Sequence, residues 1–328
     1  PVPLSMLPEL VSEFSDVARE QLERCGAEYD VLHANYWVSG AVGHRLKHEL
    51  DLPLVTTFHT LDRVKAEVGL ADDVALRPRV EAEVVRCADL VVASTFAERD
   101  QLVRHYGADP ERIEIITPGV DHRVFSPGDR ATARRHVGLP PGPTALFVGR
   151  IQPLKGADLV VRALAELETR HANLVIVGGP SGPDGESELT ALHALVAELG
   201  LEARVRFVPP QPHEHLADYY RAADVCVVPS RTESFGLVAL EAAACGTPVV
   251  AANVGGLRFL VDHGTTGYLV DERDPADYAA VIDRVLANGD AMRGHAAARS
   301  THYRWSIAAA RLRRHYDDLS VRAPVQCS

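Results

Sequence analysis

The chain has no excess of basic charge, no CxxC pair, and no apolar run near the roughly 20 residues that a membrane helix needs. With 34 Lys and Arg against 45 Asp and Glu, its formal net charge is −11, which argues against a nucleic-acid partner. The opening PVPLSMLPEL has neither the basic region nor the apolar block of a secretory signal, so a cytoplasmic protein without a membrane span is expected. Five cysteines (Cys25, Cys87, Cys226, Cys245, Cys327) are an odd count, and none stands at metal-ligand spacing from a histidine along the chain. Reduced, mostly structural thiols are expected. The 15 histidines include no HExxH pattern, there is no GxGxxG or GxxxxGK[ST] loop, and no repeat or low-complexity tract occurs.

What is present is ordinary globular material, 46% hydrophobic and 24% charged over 328 residues, enough for about two domains of roughly 150 residues each. Short apolar runs alternate with segments of helical period, the pattern of βαβ units and a parallel sheet, so the class is α/β. Strands are expected at 30–35, 54–59, 90–94 and 113–117, with helices at 79–88 and 95–106. A Pro/Gly-rich joint, 117–129, separates these from a second series at 144–149, 173–179, 204–208, 224–230, 248–253 and 267–270. The expected domains are 1–127 and 128–300, followed by a helical tail over 301–328 that packs back across the joint. The chain opens on Pro and enters a helix-like segment at once, so a first βα unit is expected to be missing from the first domain.

Two loops carry the strongest chemistry. In SRTESFGLVALEAAACGTPVV (230–250), Glu233 ends a strand-to-helix turn, Ser234, Phe235 and Gly236 open the helix, and Glu241 lies eight residues on. The unbonded N–H groups and positive dipole end of such a helix attract a diphosphate or sugar hydroxyls, and carboxylates accept from hydroxyls. In FVGRIQPLKG (147–156), Arg150 and Lys155 follow a strand end in the manner of a diphosphate clamp. GGPSGPDGE (178–186) and VGGL (254–257) read as glycine turns at strand ends. In the first domain, HANYWVSG and TTFHTL place His33, Tyr36, His59 and Thr60 on the strands' carboxyl-end rim, where Arg77 could reach an anion.

Taken together, GRIQPLKG, ADVCVVPSRTESFGLVALEAAACGTPVVAANVGG and TTGYLV resemble the family 4 retaining glycosyltransferases, over essentially the whole chain. HANYWVSG, TTFHTLDRVK, GGPSGPDG and TPGVDHRVFSPG are similar, more narrowly, to the branch that glycosylates an inositol phosphate in mycothiol biosynthesis; sucrose-phosphate-synthase-like members share much of this. The resemblance implies a GT-B fold, with two Rossmann-like doubly wound domains facing a cleft. It implies that Arg150 and Lys155 neutralise the diphosphate of a UDP donor, Glu233 anchors the donor sugar with the backbone of Ser234, Phe235 and Gly236, and Glu241 anchors the ribose. His59 would touch the sugar near the reacting carbon, while Tyr36, Thr60 and Arg77 would hold a phosphorylated acceptor.

Gln211 stands where the relatives place an arginine beside the uracil, and their phosphate-binding lysine and glycine-rich loop have no counterpart in the opening residues. No cofactor is implied for the chemistry. A structural magnesium is implied at Tyr220, Arg221, Ala223 and Thr247, and a homodimer is among the expected partners. The expected activity is transfer of N-acetylglucosamine from UDP to an inositol phosphate. The alternatives are another donor and acceptor pair within family 4, such as a sucrose-phosphate-synthase-like or GDP-mannose-dependent reaction, and a nucleotide-sugar-binding fragment without turnover.

Overall fold

The computed structural model describes residues 6–25, 28–71, 74–182 and 184–327. Residues 1–5, on which the expected loss of a first βα unit bears, and Pro183 of the 178–186 turn lie outside this set. The chain divides into two compact units, Pro1–Pro118 with Ser306–Ser328, and Gly119–Trp305. The division therefore falls ahead of the 127/128 boundary expected from the Pro/Gly-rich joint.

The first unit is built on four parallel strands in the order β1 (Leu32–Asn35), β2 (Leu54–Thr57), β3 (Leu90–Ala93) and β4 (Ile113–Ile115). Leu32 lies opposite Leu54, Val55 opposite Leu90 and Val91 opposite Ile113. β2 and β3 are buried at every position, as strands covered on both faces are; β3 is wholly apolar, and β2 ends on the buried Thr56 and Thr57. One face, with Leu54, Val91 and Ala93, packs on a core that includes Trp37, Val84 and Leu102 from three helices. The other face, Val55, Leu90 and Val92, is covered by Ala308, Leu312, Tyr316 and Leu319 of the helix Trp305–Ser320, so the tail expected from helical periodicity belongs to this unit's core.

In the second unit six parallel strands run in the order β10 (Gly267–Val270), β9 (Val249–Ala252), β8 (Val225–Val228), β5 (Thr144–Val148), β6 (Asn173–Val177) and β7 (Val205–Val208). Alternate residues of the sheet feed two apolar layers: Phe147, Leu174, Ile176 and Val227 on one face, Leu146, Val175, Val177 and Cys226 on the other. β7 is the exception in burial: it is an edge strand, and Arg206 points outward, its guanidinium donating to the Gly138 carbonyl at 2.7 Å. A charge on an edge strand blocks pairing with another chain. Both sheets are parallel and α/β, as expected from the sequence, but among the described residues only the second shows the reversal of strand order of a doubly wound sheet; the first runs β1-β2-β3-β4, with its crossover helices on one face and the tail helix on the other.

The thiols correct one expectation. Cys226 and Cys245 are buried and Cys25 is exposed, all three free, but Cys87 and Cys327, 240 residues apart, are drawn together as a bonded pair with their Cα atoms 5.2 Å apart. Spacing along the chain could not show this, because a tail that returns to the first unit brings the two residues together. Among the described residues no helix is long and apolar enough to cross a membrane.

Candidate active site

The second unit starts with β5, proceeds outward to β6 and β7, then returns to β8 on the other side of β5 and continues to β9 and β10. The loops after the neighbouring strands β5 and β8 therefore diverge, and open α/β sheets bind ligands at this reversal, outside the carboxyl ends of the strands. These two loops carry FVGRIQPLKG and SRTESFG. Lys155 Nζ donates to Glu233 Oε2 at 2.6 Å, and Ser230 Oγ donates to the same oxygen at 3.1 Å. Arg231 N bonds Leu154 O at 2.9 Å, which ties the loops by backbone as well. Lys155 and Glu233 are 21% and 18% exposed, enough for a ligand to reach them and enough burial to fix their rotamers.

A third loop braces the second. Gly256 N donates to Glu233 O at 2.9 Å, and a Cβ on Gly255, which has φ +46°, would sit 1.8 Å from that same oxygen. The turn after β9, read from sequence as simple turn chemistry, thus sets the height of the Glu233 backbone. Gly236, at φ +108°, turns the chain into the helix Leu237–Ala244, whose first N–H groups have no intrahelical partner. Phe235 is 5% exposed and its ring packs edge-on to Tyr303, so the ring belongs to the core and offers no contact to a ligand. Arg150 is exposed just beyond β5; its loop leans on the turn after β6 through Gly149 N to Val177 O (3.0 Å) and Ile151 N to Gly179 O (2.8 Å).

Glu241 lies inside the unit, 7% exposed, with both oxygens engaged: His213 Nε2 is 2.8 Å from Oε1, and the Tyr220 hydroxyl donates to Oε2 at 2.8 Å. Burial and the Glu241 charge raise the Tyr220 hydroxyl pKa well above its ordinary value, so it stays a donor. Gln211 is exposed, its amide turned to the Pro209 carbonyl at 2.9 Å. Tyr220, Arg221, Ala223 and Thr247 are close together, but the groups described here already have protein partners. Thr247 Oγ1 donates to Tyr220 O at 2.6 Å, the Arg293 guanidinium to Ala223 O at 2.6 Å, and Arg221 to Ser126 O and Val124 O at 2.8 and 2.7 Å. With a guanidinium already on the Ala223 carbonyl and the Thr247 hydroxyl turned to the Tyr220 carbonyl, this set as placed does not fit a divalent cation.

In the first unit the expected acceptor residues converge. Arg77 and Glu81, one helical turn apart at the start of the helix Arg77–Cys87, form an ion pair of 2.7 Å in which both side chains are fully buried. Arg77 also donates to Thr60 O and Oγ1 at 2.9 and 3.0 Å and to the Tyr36 hydroxyl at 3.3 Å, with its guanidinium over the Tyr36 ring. Glu81 Oε2 in turn accepts from Asp62 N at 3.0 Å and from the Tyr106 hydroxyl. Burial raises the Glu81 pKa and Arg77 opposes that rise, so the pair keeps its charges only as a unit.

His59 Nε2 lies 2.9 Å from Asn35 Oδ1. His59 and Tyr36 have φ of 63° and 73°, and among the described residues only Asp51 is another non-glycine in that region. Strain of this kind costs about 1–3 kcal/mol per residue and persists where the surrounding structure enforces it, characteristically at functional sites. Desolvation lowers the His59 pKa, so its imidazole is neutral near pH 7.

Asn35, Glu81, Ser230 and His213 were not singled out from the sequence, which marks the 254–256 turn only as a glycine turn at a strand end. Glu81 and Ser230 left local signals, spacings of four and three residues from Arg77 and Glu233; Asn35 and His213 act across 24 and 28 residues, and the turn acts through backbone.

His33 stands on the same rim, hydrogen-bonded to Tyr316 and at 2.8 Å to Thr57 Oγ1. Burial, with His59 adding to it, pushes its pKa from 6.5 down to about 4. The unfolded chain therefore binds a proton near pH 6.5 that the folded chain does not, so stability falls as the pH drops from 6.5 through about 4. The expected loss is about 2–3 kcal/mol at the acid end. Denaturant midpoints across this range should decline for the parent and flatten for His33→Gln; equal slopes would show that His33 does not carry the effect.

Paired α/β units with charged side chains at strand carboxyl ends, and a clamp of cation and carboxylate at the second sheet's reversal, define a group transferase of the GT-B fold. Comparison with known proteins agrees. Residues 129–301 match the family Glycosyl transferases group 1, and residues 1–124 match Glycosyltransferase Family 4. The chain is 48% identical over 320 residues to the D-inositol 3-phosphate glycosyltransferase of Acidothermus cellulolyticus, covering 93% of this chain and 71% of that one. It is 45% identical to the protein of the same name from Thermobispora bispora, covering 94% and 75%. Among solved structures, sucrose-phosphate synthase from Thermosynechococcus elongatus superposes with a TM-score of 0.89 at 34% identity, covering 97% of this chain and 80% of that one. The chain belongs to the family 4 glycosyltransferases.

Proposed function

We propose that the chain transfers N-acetylglucosamine from UDP to an inositol phosphate with retention of anomeric configuration. The observation that carries the donor side is the 2.6 Å pair of Lys155 and Glu233 at the reversal of the second sheet. A UDP-sugar gives each member a natural partner: the diphosphate for Lys155 and Arg150, the sugar hydroxyls for Glu233. The N–H groups at 234–236 add positive potential where the leaving diphosphate gains charge. In this reading the bond from the anomeric carbon to the phosphate oxygen breaks while the acceptor hydroxyl attacks from the same face, and the departing phosphate oxygen takes the acceptor proton. The protein then contributes positioning and charge stabilisation and no nucleophile. Glu241, on which His213 and Tyr220 converge, faces the ribose in this reading, and Gln211 lies beside the base.

For the acceptor, the support is the name shared by the two relatives and the cluster of Tyr36, Thr60 and Arg77. Arg77 supplies a positive charge behind two hydroxyl groups, suited to a phosphate monoester. In the same reading His59, neutral and held by Asn35, takes the role of the sugar-contacting histidine that the family resemblance implies.

The test is a matrix of UDP-N-acetylglucosamine, UDP-glucose and GDP-mannose against inositol 1-phosphate, fructose 6-phosphate and no acceptor, reading product mass, released nucleotide and the anomeric configuration by NMR. Product from UDP-N-acetylglucosamine and the inositol phosphate alone, with the donor's configuration, is expected. Product from UDP-glucose and fructose 6-phosphate alone would replace this reading with the sucrose-phosphate type, and UDP binding with no transfer to any acceptor would replace it with a binding fragment.

A further inference from the structure

Away from the candidate active site, four potential metal ligands meet in the first unit. His44 and His48 are one turn apart on the helix Tyr36–Leu50 and so share a face. The helix Arg77–Cys87 packs against that face and ends on Cys87. The C-terminal tail brings in Cys327. His48 Nε2 lies 3.2 Å from Cys327 Sγ and 3.5 Å from Cys87 Sγ, His44 Nε2 lies 3.9 Å from Cys327 Sγ, and all four ligand atoms fall within 4.8 Å of one another.

In a tetrahedral zinc site, with bonds of about 2.3 Å to sulfur and 2.0–2.1 Å to nitrogen, neighbouring sulfur and nitrogen ligands stand about 3.5 Å apart. The three sulfur–nitrogen separations, 3.2, 3.5 and 3.9 Å, bracket that edge, and the two sulfurs, drawn as a bonded pair, would have to part to hold an ion. A bonded sulfur pair does not account for the two imidazoles: a disulfide has no thiol proton to give them and no charge to attract them. Metal binding requires both.

The approach of Cys327 is itself built. Asp89, buried, accepts from Val325 N at 2.5 Å, from Leu54 N at 2.7 Å and from Lys47 Nζ at 2.5 Å, while Lys47 Nζ also donates to the Cys87 carbonyl at 2.8 Å. One buried ion pair therefore fixes both the tail's last residues and the backbone of the other cysteine. Ligands placed by such outer contacts lose little freedom on binding.

We propose that Cys87 and Cys327, as thiols, form with His44 and His48 a Cys2His2 site for a zinc ion that fastens the C-terminal tail to the first unit. Binding releases one proton from each thiol and leaves two thiolates and two neutral imidazoles on the ion. The bonded sulfur pair and the metal site are mutually exclusive states of the same two residues.

The test uses the full chain, reduced, treated with chelator and kept free of oxygen. Titration with Co2+ should give one equivalent bound, with tetrahedral d–d bands and thiolate-to-cobalt charge transfer, both abolished when Zn2+ is added. Zn2+ should raise the parent's Tm. Cys327→Ser and His44→Ala should each weaken cobalt affinity by more than about 100-fold, beyond what loss of an outer contact costs, and should cancel the Tm rise. Cys327 is the decisive position, since it lies in the tail and its replacement leaves the buried core intact; circular dichroism checks the fold. No cobalt bound by the reduced chain would overturn the proposal. So would a cobalt spectrum lacking thiolate charge transfer, or parent-like affinity in Cys327→Ser.

Discussion

Lys155→Ala is expected to lower kcat by about 10²–10³-fold, the range seen when one preorganised donor to a developing negative charge is removed. The leaving diphosphate gains charge as its bond to the sugar breaks, and Lys155 is the fixed cation in the loop after β5. Its ammonium is held at 2.6 Å by Glu233 and so needs no reorganisation when the charge appears. The substitution also removes the ammonium from Glu233, which keeps the Ser230 hydroxyl at 3.1 Å. Glu233→Gln should therefore cost turnover as well, and the double variant should lose much less than the product of the two single effects, because each single change already breaks the shared pair. Steady-state kinetics on released nucleotide, with the acceptor's KM followed in parallel, checks this. Parent-like kcat in Lys155→Ala, or strictly multiplicative losses, would remove the pair from the site.

Arg77→Ala is expected to destabilise the first unit by about 3–5 kcal/mol, since it strands the Glu81 carboxylate where burial already raises its pKa. That corresponds to a fall in Tm on the order of 10 °C. Removing both charges together separates structure from binding. Arg77→Met with Glu81→Leu should recover most of the stability, as apolar replacements of buried ion pairs generally do. The acceptor's KM should nevertheless stay raised, because the charge behind Tyr36 and Thr60 is gone. Calorimetry and acceptor titration read the two effects independently. A double variant with parent-like acceptor KM would leave Arg77 with a packing role alone.

The ten strands among the described residues stand where the apolar runs placed them, nine of them shorter by one to three residues and β10 matching its run end to end. Parallel strands covered on both faces read as unbroken Val, Leu, Ile and Ala runs, so burial writes itself into the sequence. The tail helix was legible from its period, but its assignment to the first unit's core was not, because Ala308, Leu312, Tyr316 and Leu319 meet residues some 200 positions earlier. The division of the chain likewise follows contacts: the joint's Pro and Gly marked a connection over 117–129, while packing placed Gly119 onward in the second unit.

By itself, the sequence determined the class, the strand inventory and the loops that carry chemistry. Strand ends followed by glycine, a cation or a carboxylate are local patterns, so Arg150, Lys155 and Glu233 could be named from residue type and position alone. Only the tertiary structure decided which of these groups meet. The order β8-β5-β6 puts the Lys155 and Glu233 loops side by side although 78 residues separate them, and the helix Arg77–Cys87 brings Arg77 to Tyr36 across 41. It also put Glu241 against His213 and Tyr220, turned the Phe235 ring into the core, and brought two distant cysteines onto a pair of histidines one helical turn apart. The physical reason is the same in each case: propensity and periodicity are summed over neighbours along the chain, whereas a charge pair or ligand set is fixed by which strands adjoin and which helix covers them.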